Sequence, residues 1–210
     1  MKLTAASLEI NEQGLATVTL TQAEKGNPFN GTFVKDLRDI CLALWELPHL
    51  RAVLLRAEGS NFSFGGDLKA FYPDRHNLAP LVRSWTADLH MGLQRLWQLP
   101  IPIVAEVQGF AMGGGVALFA GCDMVVTGKS TKIGSAFSQI GFSCDSGSSV
   151  VLTARLGAAR AKRFVMMAEI LTSQEALNIG LVDVVVEDDQ LSQEALKLAT
   201  RLAHGPTVAY

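Results

Sequence analysis

Apolar and polar residues alternate in short runs along this chain and then switch, several times, to a helical spacing. Leu8 to Asn11 and Leu15 to Thr21 flank Glu12-Gln-Gly14 and predict a β-hairpin. The polar loop Gln22 to Gly31 follows, broken at Asn27-Pro28. Val34, Leu37, Cys41, Leu44 and Trp45 fall on one face of a helix that Leu47-Pro48 ends, and Ala52 to Arg56 predicts the next strand. Glu58 to Asp67 reads as a glycine-containing loop and Phe71 to Asn77 as a polar, irregular surface segment. Leu81, Trp85, Leu89, Leu93 and Leu96 then mark a long amphipathic helix that ends before Pro100.

The later half repeats the scheme. Ile103 to Val107 predicts a buried strand, Val116 to Ala120 a buried helix and Met124 to Thr127 another strand. Ser135 to Gly147 is a loop of small and apolar residues with a single carboxylate, Asp145. Helices are expected over Val150 to Leu156 and Ala158 to Met167. Thr172-Ser-Gln-Glu175 supplies a capping box for a short helix ending near Gly180. Val182 to Val186 predicts a strand, and Leu191 to Leu202 a last helix. Strands alternating with helices imply one α/β domain without repeats or low-complexity linkers.

The chain turns on the glycines between the buried strand and the buried helix, Gly109 and Gly113-Gly114-Gly115. Three adjacent glycines at a helix start are costly in conformational entropy. They make sense where bare N–H groups must approach a negative charge, and a helix start favours such a charge. A glycine-packed turn with no ligand is the alternative. Nucleotide motifs do not fit. A dinucleotide fingerprint from Gly113 meets Leu118, a phosphate loop from Gly109 meets Gly115 where Lys is required, and Gly128-Lys129-Ser130 has Asp123 in the place of its first glycine.

Composition narrows the classes. The 210 residues are 49% hydrophobic and 18% charged, enough for one domain with a sizeable core. A net charge of −2 without a basic run argues against nucleic acid. Cys41, Cys122 and Cys144 form no CxxC pair and read as reduced thiols. The start Met1-Lys-Leu-Thr has no apolar signal core, and the most apolar stretch, Val107 to Cys122, is short and glycine-rich, so no membrane association is expected. His49, His76 and His204 have no partner at metal-ligand spacing, so no metal is expected. Trp45, Trp85 and Trp97 are expected in the core.

At this point the residues resemble a family. Val107-Gln-Gly-Phe-Ala-Met-Gly-Gly-Gly with Cys122-Asp123, Asn61-Phe-Ser-Phe-Gly-Gly-Asp-Leu-Lys69, Glu24-Lys-Gly-Asn-Pro-Phe-Asn30 and Ala176-Leu-Asn-Ile-Gly-Leu-Val-Asp183 are similar, in that order, to motifs of the enoyl-CoA hydratase/isomerase (crotonase) superfamily. The resemblance implies an α/β fold of the ClpP/crotonase-like type, a spiral of ββα units. It places a core domain at 1–190 and the start of a C-terminal helical region at 191–210. Family chains continue beyond that point, so a truncated C-terminal part is expected. The resemblance also implies an acyl-CoA thioester as substrate, coenzyme A only as part of it, no permanently bound cofactor, and a homotrimer or dimer of trimers. The location implied is cytoplasmic, or an organelle matrix in a eukaryote.

Residue by residue, the family's two oxyanion N–H donors fall on Gly66 and Gly114. Its CoA-binding loops fall on Lys25 and on Phe64, Gly65, Asp67, Leu68 and Lys69, although Lys25 and Lys69 also fit ordinary solvated lysines. The two glutamates of family hydratases fall on Ala117 and Phe137. Neither carries a proton, so both are expected to wall the acyl pocket together with Phe142. Asp145 falls where family isomerases carry a single acid/base, usually Glu, and its Asp-Ser-Gly setting is similar to a ring-opening isomerase of phenylacetate degradation. One carboxylate suffices to shift a double bond, because the same group removes a proton at C2 and returns it at C4. Four other readings stand beside this one. Asp145 could cap the following helix; it could pair with His90 in aryl-CoA dehalogenase-like chemistry; or the chain could be a hydratase by name only, or bind thioesters without turnover.

Overall fold

The computed structural model describes residues 2–73 and 75–210; Met1 and Asp74, the latter inside the segment expected to be irregular, lie outside the described residues. The hairpin forms as β1 (Ala6–Ile10) and β2 (Leu15–Leu20), closed by Gly14 at φ +78°. The chain continues through α1 (Gly31–Trp45), β3 (Ala52–Ala57), α2 (Leu68–Phe71), α3 (Leu78–Trp97) and β4 (Ile103–Val107). It then adds β5 (Phe110–Met112), α4 (Gly114–Ala120), β6 (Met124–Gly128) and β7 (Lys132–Gly134). After α5 (Ser148–Leu156) and α6 (Ala158–Met167) come β8 (Ile170–Thr172), α7 (Ser173–Asn178), β9 (Val184–Val186) and α8 (Leu191–Ala203).

Two sheets result. The larger has the order β1-β2-β3-β4-β6-β9 and is parallel except at the β1–β2 hairpin. The smaller, β5-β7-β8, lies across the chain's path and was not expected from the sequence. Its strands have three residues each, too few to show a period, and they pair only with distant segments. β9 passes directly to α8, whereas β4 leads into β5 and β6 into β7 before a helix follows. The segment after β3 does the same in miniature, since Ser63 bridges in parallel to Ala111 of β5.

Strand alternation fixes what covers each face. Val53, Leu55, Ile103, Ala105 and Val125 point into the main core with α1, α3 and α4. Leu54, Val104 and Val126 point the other way, onto Leu191, Ala195, Ala199 and Ala203 of α8. The small alanines on that stripe let α8 lie close against the sheet. α8, in the region expected to start a C-terminal helical part, packs directly on the sheet.

Local signals explain the helix ends. Asn30 accepts from Thr32 N and Phe33 N and caps α1. The capping box at α7 forms as the sequence predicts, with Glu175 Oε2 accepting from Thr172 N and Oγ1 at 2.8 Å each. Those donors hold the Glu175 carboxyl below the usual carboxylate range, the Thr172 backbone N–H being the larger cause. Asp123, between α4 and β6, accepts from Ile103 N at 2.8 Å. Arg155 ties the same junction down by donating to Ala120 O and Cys122 O and pairing with Asp183. Trp85 and Trp97 pack partly buried against the core, Trp85 also lining a cavity, whereas Trp45 is 41% exposed, its Nε1 donating to Arg95 O at 2.8 Å.

Among the described residues, no helix is long and apolar enough to cross a membrane.

Candidate active site

The site is assembled by main chain before any side chain enters it. After β3 the chain runs alongside β5: Phe62 N donates to Gln108 O at 2.9 Å, Ser63 N to Phe110 O at 3.2 Å, and Met112 N to Ser63 O at 2.9 Å. Ser63, fully buried, anchors this run from within. Its Oγ donates to Asn27 O at 2.7 Å and accepts from Gly65 N at 3.0 Å. Asn27 sits in the left-handed region at φ +50° and donates from Nδ2 to Glu58 O and Asn61 O at 3.0 Å each. What the sequence marks only as a turn is thus a brace for the loop opposite.

This ladder brings Gly65-Gly66 against Gly113-Gly114. A Cβ on Gly65 would stand 2.7 Å from Met112 O and 2.9 Å from Gly114 N, so only glycine permits the approach. Gly113 takes φ +53°, ψ −119°, and donates its own N–H to Gly134 O at 2.9 Å, which turns the chain into α4. The N–H groups of Gly66 and Gly114 donate to no protein oxygen among the described residues. Both glycines line the same cavity. Two unpaired main-chain donors at one cavity wall make a place for a negatively charged oxygen.

The cavity has a volume of about 120 Å³. Its walls are largely aromatic: Phe71 lies 5.3 Å from Trp85 and 6.3 Å from Phe142, centroid to centroid, and Phe29, Phe64 and Phe137 also line it. From α3, Val82, Trp85, Thr86 and Leu89 face it, the i, i+3, i+4, i+7 side of that helix. Asp145 is the one carboxylate on the lining among the described residues. It is half-buried, and its side chain does not cap α5, whose N-cap is Gly147. Instead its Oδ1 accepts from Ser146 Oγ at 2.8 Å, while its main-chain oxygen accepts from Ser148 N at 2.8 Å.

The other expected site residues divide. Phe64, Leu68 and Phe142 are 47%, 48% and 38% exposed and sit on the lining beside Gly66. Phe64 also stacks on Phe110 at 5.9 Å. Asp67 Oδ1 accepts from Ala70 N at 2.9 Å and caps α2. Lys25 and Lys69 are exposed and off the lining. Phe137 lines the cavity, but Ala117 does not: α4 is buried on all sides, and the cavity meets only its first turn. His90 is exposed and lies one position round α3 from Leu89, away from the lining, so the structure does not bring it together with Asp145. The contributions of Phe71, Trp85 and Ser146 were not foreseen. Among the described residues, no group of three His, Cys, Asp or Glu side chains converges to hold a metal ion.

A spiral of strand, short strand and helix, with two unpaired glycine N–H groups at one cavity wall, defines a crotonase-fold protein. Solved structures agree: an enoyl-CoA hydratase from Mycobacterium avium subsp. paratuberculosis K-10 superposes with a TM-score of 0.88 at 27% identity, covering 100% of this chain and 82% of that one. A family model described as Enoyl-CoA hydratase/isomerase matches residues 10–210, and the chain belongs to that family. It is 32% identical over 197 residues to 1,2-epoxyphenylacetyl-CoA isomerase of Escherichia coli (strain K12), spanning 93% of this chain and 75% of the relative. It is 29% identical over 203 residues to trans-2-decenoyl-[acyl-carrier-protein] isomerase of Streptococcus mutans serotype c, spanning 95% and 76%. Hydratases and isomerases both occur among these relatives, so the choice between the two reactions must come from the site.

Proposed function

We propose that this protein is an enoyl-CoA isomerase that shifts a double bond with Asp145 as its single acid/base. The observation that carries the reading is the solitary carboxylate on an apolar lining that also holds two unpaired glycine N–H groups. Asp145 takes a proton from C2 of a 3-enoyl thioester, and the C2–H electron pair moves into a dienolate. The N–H groups of Gly66 and Gly114 hold its oxygen, one such donor being worth about 3 kcal/mol of barrier. Asp145 then delivers the proton to C4, the double bond settles between C2 and C3, and no water is consumed. Hydration by two carboxylates is disfavoured, because Phe137 stands on the wall and Ala117 is sealed in the core.

Phe64, Gly65, Asp67, Leu68, Lys25 and Lys69 form the side along which coenzyme A enters, the two lysines offering exposed positive charge to its phosphates. Association into trimers or a dimer of trimers belongs to the same reading. Val150, Met166, Met167 and Ile170, 56–72% exposed, supply apolar surface for it.

The test offers 3-enoyl-CoA and 2-enoyl-CoA separately to the wild type and to Asp145→Asn, following thioester absorbance. Conversion of the 3-enoyl ester alone, abolished in the variant while thioester binding persists, is the expected result. Undiminished turnover by Asp145→Asn would refute the base, and hydration of the 2-enoyl ester would refute the reaction. Silence on both, with thermal stabilisation by CoA esters, would point to a binding protein.

A further inference from the structure

Two residues bearing a Cβ hold left-handed φ in the loop that presents Asp145, Ala136 at +56° and Ser146 beside the carboxylate. Ser146 is 1% exposed and holds φ +54°, in the left-handed region that residues with a Cβ avoid. Gly147 follows at φ +71°, where glycine incurs no such strain. A glycine at 146 would relax the turn, yet the chain carries a serine there. An outlier of this kind asks for a reason in what the side chain touches.

The hydroxyl is not needed to close the turn. That is done by Ser148, whose N and Oγ donate to Asp145 O at 2.8 and 2.6 Å. Ser146 Oγ donates instead to Asp145 Oδ1 at 2.8 Å. It also lies 3.0 Å from the point where a Cβ on Gly114 would stand, which wedges it between the carboxylate and a donor glycine. Rotation of the carboxylate about Cβ–Cγ breaks this charge-assisted hydrogen bond.

We propose that Ser146 is a positioning residue that pins Oδ1 of Asp145 and leaves Oδ2 as the one oxygen that handles the migrating proton. The inference rests on the isomerase reading above. With Oδ1 held, the oxygen that receives the proton at C2 is the oxygen that delivers it to C4, on the same face of the substrate. The proton has little occasion to exchange with water between the two steps. Ser146 touches neither reacting carbon and acts through Asp145.

The experiment uses 3-enoyl-CoA carrying deuterium at C2, turned over in ordinary water, with deuterium at C4 of the product read by mass spectrometry. Wild type, Ser146→Ala, Ser146→Gly and Asp145→Asn are compared, each with kcat, KM and Tm. The wild type should return a measurable share of deuterium to C4. Both serine variants should lose about ten- to a hundredfold in kcat, as expected for a lost charge-assisted hydrogen bond, with little change in KM and with deuterium return reduced. Glycine relaxes φ and alanine does not, so equal losses at unequal Tm would assign the effect to the hydroxyl. Activity that instead follows Tm, Ser146→Gly behaving as wild type, or a wild type that returns no deuterium would overturn the proposal. Normal turnover by Asp145→Asn would overturn the isomerase reading itself; an inactive Asp145→Asn with unaffected serine variants would overturn only the role of Ser146.

Discussion

Gly65 is neither of the two glycines proposed as oxyanion donors, and its replacement tests whether their spacing matters. In Gly65→Ala the new Cβ falls 2.7 Å from Met112 O and 2.9 Å from Gly114 N, against 3.4–4 Å for ordinary contact. Both obstacles are main chain and cannot swing aside. Relief requires the 61–66 segment and the start of α4 to part by about 0.5–0.7 Å, the shortfall from ordinary contact. The φ of +76° adds about 1 kcal/mol for a residue bearing a Cβ. Overpacking adds about 1–2 kcal/mol, giving a loss of roughly 2–3 kcal/mol in stability. For a chain of this size that is a Tm lower by about 4–12 °C. Catalysis should suffer more, because displacing one oxyanion donor costs about 3 kcal/mol, or about two decades in kcat. The assay is 3-enoyl-CoA turnover well below the variant's Tm, with thioester binding measured in parallel. A folded Gly65→Ala protein with kcat within about threefold of wild type would mean that the donors are not set by this contact, and the site as described would be wrong.

Two further outcomes follow from the fold. Asp36, 6% exposed, accepts from Thr4 N and Ala5 N at 2.7 Å each and ties the approach to β1 onto α1. Asp36→Ala should lower unfolding free energy by about 2–4 kcal/mol in urea titration, since two N–H groups lose a charged acceptor; a change under about 0.5 kcal/mol would contradict that account. Burial pushes the Cys41 thiol up to about 12 and raises Cys122 as well, so neither carries thiolate at pH 8. Alkylation of the native protein at that pH should therefore modify half-buried Cys144 first, with Cys41 and Cys122 labelled only after denaturation. Equal labelling of all three in the native state would refute their burial.

The long elements were legible because each carries its own period: α1 and α3 show apolar stripes, and β3, β4 and β6 are apolar runs between breakers. The small sheet was illegible for the converse reason. Phe110–Met112, Lys132–Gly134 and Ile170–Thr172 are too short for a pattern, and only their mutual pairing makes them strands. Within the site, the glycines and Asp145 stood out because their chemistry is unusual for where they sit. Ala117 and His90 show the limit of carrying positions over from a family. Position along a helix does not say which side it turns, and α3 turns Leu89, not His90, to the cavity. Ser146 left no mark in the sequence, since a strained φ is a property of the folded turn. Trp85 was expected in the core because an aromatic on an apolar stripe reads the same whether it meets packed side chains or an empty pocket.

The anion site proposed here is made wholly of peptide N–H groups and has no side chain for mutation to delete. Drift at the residues around it leaves the two donors standing, while a change to a glycine that holds them closes the gap and is felt at once. The side chains of the lining are under no such constraint. On the function proposed above, Phe137 and Asp145 on that lining decide which bond is made or broken while the frame stays the same. A chain of this architecture can thus acquire a new reaction through one or two side chains, and the identity of those side chains, more than the likeness of the whole chain, is what separates one catalyst from its neighbours.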